Sequence, residues 1–213
     1  MCKFRTAIAL AIALAFLTAC SQPPSKPAGS EATAPKAAEK PVAGPVAGIP
    51  AYYKMYESAY RWSPDIVLLY LAPKDPAAFT DSGGKAEVWE ANFASPSKHE
   101  QHIFTYAVVA HPPDISQGVS VGHGVPWGGV TREVMAIDKA SVKVDSDAAF
   151  TTASADAKEW LTKNAGTKMS HFQLGNSSNF PAPVWYVQWG DVKKGYAAYV
   201  NATTGEVMKK LRK

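Results

Sequence analysis

Apolar and polar positions alternate with two different periods along this chain, and the switches between them mark its elements. Tyr52, Met55, Tyr56, Ala59 and Trp62 recur at helical spacing and predict an amphipathic helix. Ser63-Pro64-Asp65 ends it, because a residue before proline avoids the α region. Ile66 to Leu71 is a short run of strand formers, read as a buried strand, and Pro73 to Gly84 reads as a loop. Val88 to Phe93 alternates Trp89, Ala91 and Phe93 against Glu90 and Asn92, and Ser95 to Lys98 turns the chain into a second strand from Gln101 to Ala110. Further on, Asp145, Ser146 and Asp147 offer N-caps for a helix carrying Phe150, Ala153, Ala157, Trp160, Leu161 and Asn164 on one side, with Gly166 as its stop. Strands then follow at Met169–Leu174, Val184–Trp189 and Tyr196–Asn201, the last closed by a tight turn at Thr203-Thr204-Gly205.

The order helix, then antiparallel strands, occurs twice. Trp89 and Trp185 lie 96 residues apart, Tyr56 and Ala153 97, and Tyr106 and Tyr199 93. The expected fold class is α+β, with two tandem helix-plus-antiparallel-sheet units over 50–144 and 145–213. About 164 residues from Pro50 on can bury a sizeable core without staples.

Ahead of these units the pattern is different. Lys3 and Arg5 precede an apolar run of eleven residues, Ala7 to Leu17, which is too short to span a bilayer comfortably. Leu17-Thr18-Ala19-Cys20 closes that run and resembles a bacterial lipoprotein lipobox. The resemblance implies a signal peptide over 1–19, cleavage before Cys20, and acylation of its sulfur with diacylglycerol and palmitate-type chains. Two or more chains, at roughly 0.8 kcal/mol per buried CH₂, give stable anchoring in a lipid bilayer. Ser21, where aspartate marks inner-membrane retention, implies sorting to an outer membrane where the envelope has one, and a periplasm-facing domain. Cys2 leaves with the signal and Cys20 is consumed by lipid, so the rest of the chain has no pair to form a disulfide. Residues 20–49 form a lipidated cysteine and a Pro/Ala-rich stretch without aromatic residues, read as a disordered tether. Its reach is about 30 Å as a coil and about 90 Å as polyproline II.

Val184-Trp185-Tyr186-Val187-Gln188-Trp189, followed by Tyr199-Val200-Asn201-Ala202-Thr203-Thr204-Gly205-Glu206-Val207, resembles a PepSY-type (cystatin-like) module. Its pattern is an aromatic strand, then a strand ending in an acidic residue, Ala, any residue, Thr and Gly. Asn201 stands where the acidic residue is usual. The resemblance implies a helix packed on an antiparallel sheet and a binding or inhibitory role in the cell envelope. The first half, 50–144, is at best a degenerate copy.

Chemistry-bearing clusters are sparse. His99 and His102 flank a hairpin end and could hold a metal with His111 or His123, although the helical zinc spacing is missing. An exposed polar turn accounts for the same residues, so no metal site is assigned. Gly118 to Gly129 lacks the Lys and Ser/Thr of a phosphate loop and reads as a loop packing Trp127 between the two halves. The letters Gly-x-Ser-x-Gly occur at Gly118 to Gly122, in a segment read as a loop and without the strand-to-helix turn of a nucleophile elbow. Trp185 and Trp189 share a strand face, and either fill the core or, exposed with Tyr196 or Tyr199, form an aromatic platform; Trp185, Trp189 and Tyr199 are the candidate binding residues.

Charge adds little. The net charge of +4 comes from 22 basic and 18 acidic residues, and 17 and 16 of these fall in the two units. That balance gives no footprint for nucleic acid. The expected function is non-catalytic: a membrane-anchored envelope lipoprotein binding a peptide, protein or envelope polymer, without a cofactor. The alternatives are a periplasm-facing enzyme using the histidine-bearing loops and a purely structural envelope protein.

Overall fold

In a computed structural model of the chain, which describes residues 44–79 and 81–208, the strands join in one antiparallel sheet. Cys2, Cys20, the signal-like run and most of the tether lie outside the described residues. The first half contributes α1 (Gly48–Trp62), β1 (Val67–Pro73), α2 (Pro76–Phe79), β2 (Val88–Ser95), β3 (Glu100–Ala107), β4 (Gly118–Val121) and β5 (Val125–Pro126). A 3-10 turn, Lys139–Ser141, leads to α3 (Ser146–Asp156), α4 (Lys158–Lys163), β6 (Met169–Gly175), β7 (Val184–Trp189) and β8 (Tyr196–Asn201). The strand order is β4-β3-β2-β1-β6-β7-β8, with β5 also paired to β3. The sheet is thus two meanders joined edge to edge where β1 meets β6. That seam holds only two residue pairs, Tyr70 with Gly175 and Leu71 with Leu174. Among the described residues no helix is long and apolar enough to cross a membrane.

The helices cover one face of this sheet, α1 over β1 to β3 and α3 over β7 and β8. Each half sends a tryptophan into the layer between. Trp89 on β2 and Trp185 on β7 are fully buried. A buried indole N–H needs an acceptor. Trp89 donates to the Val46 carbonyl at 3.0 Å and Trp185 to the Val144 carbonyl at 2.9 Å. Both carbonyls stand two residues before the first residue of a helix.

The two ring tips converge on Gly48. A Cβ there would lie 3.0 Å from Cη2 of Trp185 and 3.2 Å from Cη2 of Trp89. Glycine at the start of α1 therefore lets the helix approach both indoles. The same helix start has no side-chain cap of its own, since Ala47 occupies the cap position. Its orphan N–H groups are satisfied from α3 instead. Gly48 N–H donates to Ser146 Oγ at 2.9 Å, and Ile49 N–H to Asp145 Oδ1 at 2.8 Å. The Ser146 hydroxyl in turn donates to the Gly84 carbonyl at 2.6 Å.

The structure refines several expectations. The folded part begins by Val46, whose backbone pairs with Ala86, and not at Pro50. The loop between Pro73 and Gly84 contains α2, whose Phe79 is buried against Phe172, Trp89 and Phe150. The glycine-rich segment supplies the edge strands β4 and β5. Trp127 donates its backbone N–H to His99 at 2.8 Å, so it sits beside β3 and does not wedge between the halves. The second helix breaks at Ala157 into α3 and α4. In the helices, Gly48 and Ser146, Ala51 and Ala149, Met55 and Ala153, and Ala59 and Ala157 are buried pairs 98 residues apart, so Met55 and not Tyr56 matches Ala153. In the strands, Trp89 faces Tyr106 and Trp185 faces Val200, which leaves Tyr199 on the opposite face. Asn201 makes its turn as an acid would, accepting from the backbone N–H groups of Thr203 at 2.7 Å and Thr204 at 3.2 Å.

Two substitutions test this arrangement by urea unfolding. Gly48→Val forces the ring tips apart and is expected to cost about 1–3 kcal/mol, more than the roughly 1 kcal/mol or less gained from helix propensity. Ser146→Ala strips one partner from both Gly48 N–H and the Gly84 carbonyl, and is expected to cost about 1–3 kcal/mol.

Candidate binding cleft

The sheet face turned away from the helices is where side chains remain available. Alternation along β7 sends Trp185, Val187 and Trp189 inward and Tyr186 and Gln188 outward. Trp185 and Trp189 are 0% and 2% exposed, so of the two readings they take the core one and leave the set of candidate binding residues. They are core residues because the helices cover their face. Tyr199, the third candidate, is half-buried and lies on the outer face.

Tyr199 belongs to a row of rings crossing the outer face. Tyr186 and Tyr199 are cross-strand partners stacked at 5.1 Å and 14°. His171 of β6 packs on Tyr186 at 5.0 Å, and Phe180 packs on Tyr199 at 4.8 Å. One face each of Tyr186 and Tyr199 is taken up by their mutual stack, while His171 and Phe180 pack on them at a tilt. The Tyr186 hydroxyl donates to the Gln188 side-chain oxygen.

Beside this row lies a cleft of about 300 Å³. Its floor comes from β1, β6 and β7 through Leu69, Tyr70, Gln173 and Val184. The bulge between Leu68 and Tyr70 in β1 puts two successive residues, Leu69 and Tyr70, on this floor while Leu68 and Leu71 both stay in the core under the helices. Two loops wall it. One carries Glu133 and Val134, the other Asn176, Ser177 and Asn179. The loops are tied together, with Met135 N–H donating to the Asn176 carbonyl at 2.9 Å and Ser178 N–H to the Arg132 carbonyl at 2.8 Å. Asn176 also donates its amide to the Ala136 carbonyl at 2.8 Å. The cleft is therefore a held shape lined by amides, hydroxyls and apolar patches. Glu133 is its one charged lining residue among the described residues.

Burial favours the neutral forms of three groups on this face. It pushes the His171 imidazole below its ordinary 6.5, against a smaller opposing hydrogen bond with Gln173. It pushes the phenols of Tyr70 and Tyr186 above 10, with smaller contributions from Glu90 and Tyr199.

The histidines singled out from the sequence are not gathered. His102 bonds through Nδ1 to the Gly122 carbonyl at 2.9 Å, which places the proton on Nδ1, and packs edge-on against Trp62 at 4.5 Å. His111 faces Glu87 at 3.3 Å. His99 and His123 are exposed, and His99 takes the left-handed conformation of its turn. Among the described residues no three His, Cys, Asp or Glu side chains are grouped to hold a metal. At Gly124 a Cβ would meet the Glu100 carboxylate, a flexible side-chain end that would have to swing aside.

No family model and no curated protein matches this chain. It is similar to the crystal structure of a presumptive lipoprotein from Clostridium difficile 630, with a TM-score of 0.45 and 9% identity over 78% of this chain and 93% of that one. A likeness of that degree fixes neither a family nor a ligand.

Of the cleft, the sequence pointed only to Tyr199. Tyr70, Gln173, Asn179 and Phe180 went unnoticed, although the first two occupy strand positions beside inward residues. A bulky aromatic or amide side chain at outward strand positions was the available signal.

A histidine whose folded pKa is depressed binds fewer protons than its unfolded counterpart just below pH 6.5, so stability should fall as pH drops through that range. Imidazole carbon NMR is expected to place the His171 midpoint below 6.5, and His171→Gln should flatten the stability profile between about pH 7 and pH 5.

Proposed function

We propose that this protein is a lipid-anchored envelope module that binds its ligand without catalysis, at the cleft on the outer face of its sheet. The observation that carries the reading is Cys20 closing the apolar run Ala7–Leu17 at Leu17-Thr18-Ala19-Cys20, ahead of a tether and a separate folded part. The thioether-linked chains hold the protein at the bilayer. The Pro/Ala-rich stretch keeps the domain off the headgroups. Ser21 directs it to an outer membrane, facing the periplasm.

The two halves are read as copies of one PepSY-like unit. Support comes from the doubled order of one helical segment and three strands, and from the paired tryptophans with their matching carbonyl acceptors. In this reading the inner face of each copy is spent on folding. Recognition falls to the outer face, where tied loops frame a cleft beside Tyr186 and Tyr199.

The anchor is tested by Cys20→Ser in a Gram-negative host. Palmitate labelling and membrane fractionation are expected to disappear together; a variant still processed and membrane-bound would remove the anchor from the model. The binding role is tested by co-sedimentation of the full chain with purified envelope polymer. The double variant Gln173→Ala, Asn179→Ala, with unchanged melting, is expected to sediment at least about 10-fold more weakly. Equal sedimentation of the two proteins would argue against the cleft.

A further inference from the structure

Resting on the binding reading above, the chemistry of the cleft narrows the class of ligand. Anions are disfavoured: among the described residues no Lys, Arg or His lines the cleft, and Glu133 places a carboxylate at its wall. A phosphate, an acidic glycan or an acidic peptide would meet repulsion without a compensating partner. An extended peptide backbone is disfavoured too. Strand addition requires a free sheet edge, whereas β7 is paired on both sides, and β1 and β6 meet at Tyr70 with Gly175 and Leu71 with Leu174 while Ile137 bridges Leu68. An acyl chain fits poorly among Gln173, Asn176, Ser177 and Asn179, whose polar groups it would desolvate without replacement.

What remains is a neutral ligand rich in hydroxyl or amide groups with some apolar C–H surface. The amides of Gln173 and Asn179 and the phenol of Tyr70 supply both donors and acceptors. Leu69, Val134 and Val184 supply apolar patches for the ring C–H faces. The volume of about 300 Å³ is at the small end of ligand sites, which suits a short stretch of a polymer. The mutual stack of Tyr186 and Tyr199 takes up one face of each ring, and hydrogen bonding to the cleft's amides carries the recognition. We propose that the cleft binds an uncharged saccharide, a short pyranose segment of an envelope polymer. The neutral imidazole of His171 and the high-pKa phenols beside it leave this recognition unchanged across neutral pH.

The test uses the acylated full chain in lauryldimethylamine oxide micelles, a detergent without a sugar head. Cellotetraose, chitotetraose and tetragalacturonate are titrated while backbone amides are followed by NMR. The expected result is saturable shifts confined to residues 133–134 and 173–180 with at least one of the two neutral tetrasaccharides, and none with tetragalacturonate. Gln173→Ala with Asn179→Ala should weaken the neutral binding at least about 10-fold at unchanged melting temperature. Absence of shifts with both neutral probes, or equal binding of tetragalacturonate, overturns the saccharide assignment. If envelope co-sedimentation still depends on Gln173 and Asn179 in that case, the binding reading stands with another ligand; if it does not, both fall.

Discussion

The fold depends on two buried indoles meeting at one glycine. The seam between β1 and β6 has only two residue pairs, too little ladder to hold two meanders in register by itself. Trp89 and Trp185 span it from above, one from each half, and their ring tips close on Gly48. Burying each indole stabilises the structure by about 3 kcal/mol, provided the N–H is satisfied. Val46 and Val144 satisfy them with carbonyls held at fixed distance by the helices that follow. Each tryptophan therefore sets the spacing between its own helix and its own strands. Asp145 and Ser146 cap the start of α1 from α3, which couples one half's helix to the other's.

That coupling explains what the sequence could and could not reveal. Alternation along Val184–Trp189 and helical spacing from Tyr52 to Trp62 are local, and they located those elements well. The inward direction of the tryptophans depends on which face the helices cover, and nothing local to β7 encodes that choice. Tyr56 and Tyr199 attract attention as aromatics, but burial follows Met55 and Val200. The cross-helix caps were invisible as such, because Asp145 and Ser146 already look like caps for α3 alone. Asp145 serves both helices with one oxygen, accepting from Ser146 N–H at 2.7 Å as well as from Ile49.

The cleft was the least legible part. It is assembled from strands of both halves and two loops more than 40 residues apart in the chain, and its floor depends on a bulge. Loop residues such as Glu133 and Asn179 have no periodicity to mark them. Only their hydrogen bonding, Arg132 to Ser178 and Asn176 to both Met135 and Ala136, reveals that the walls are held. A wall fixed in this way loses little conformational freedom on binding, which favours affinity from few contacts.

The two faces of the sheet divide the work, and the entry of the chain respects that division. Val46 joins the fold on the helix side, where its carbonyl meets Trp89 and its backbone pairs with Ala86. The cleft opens on the opposite side, over β1, β6 and β7. A chain that enters between helix and sheet leaves the outer face uncovered by its own attachment point. The covered face of the sheet thus carries the packing of the fold, while the other keeps its cleft framed by loops and clear of the helices.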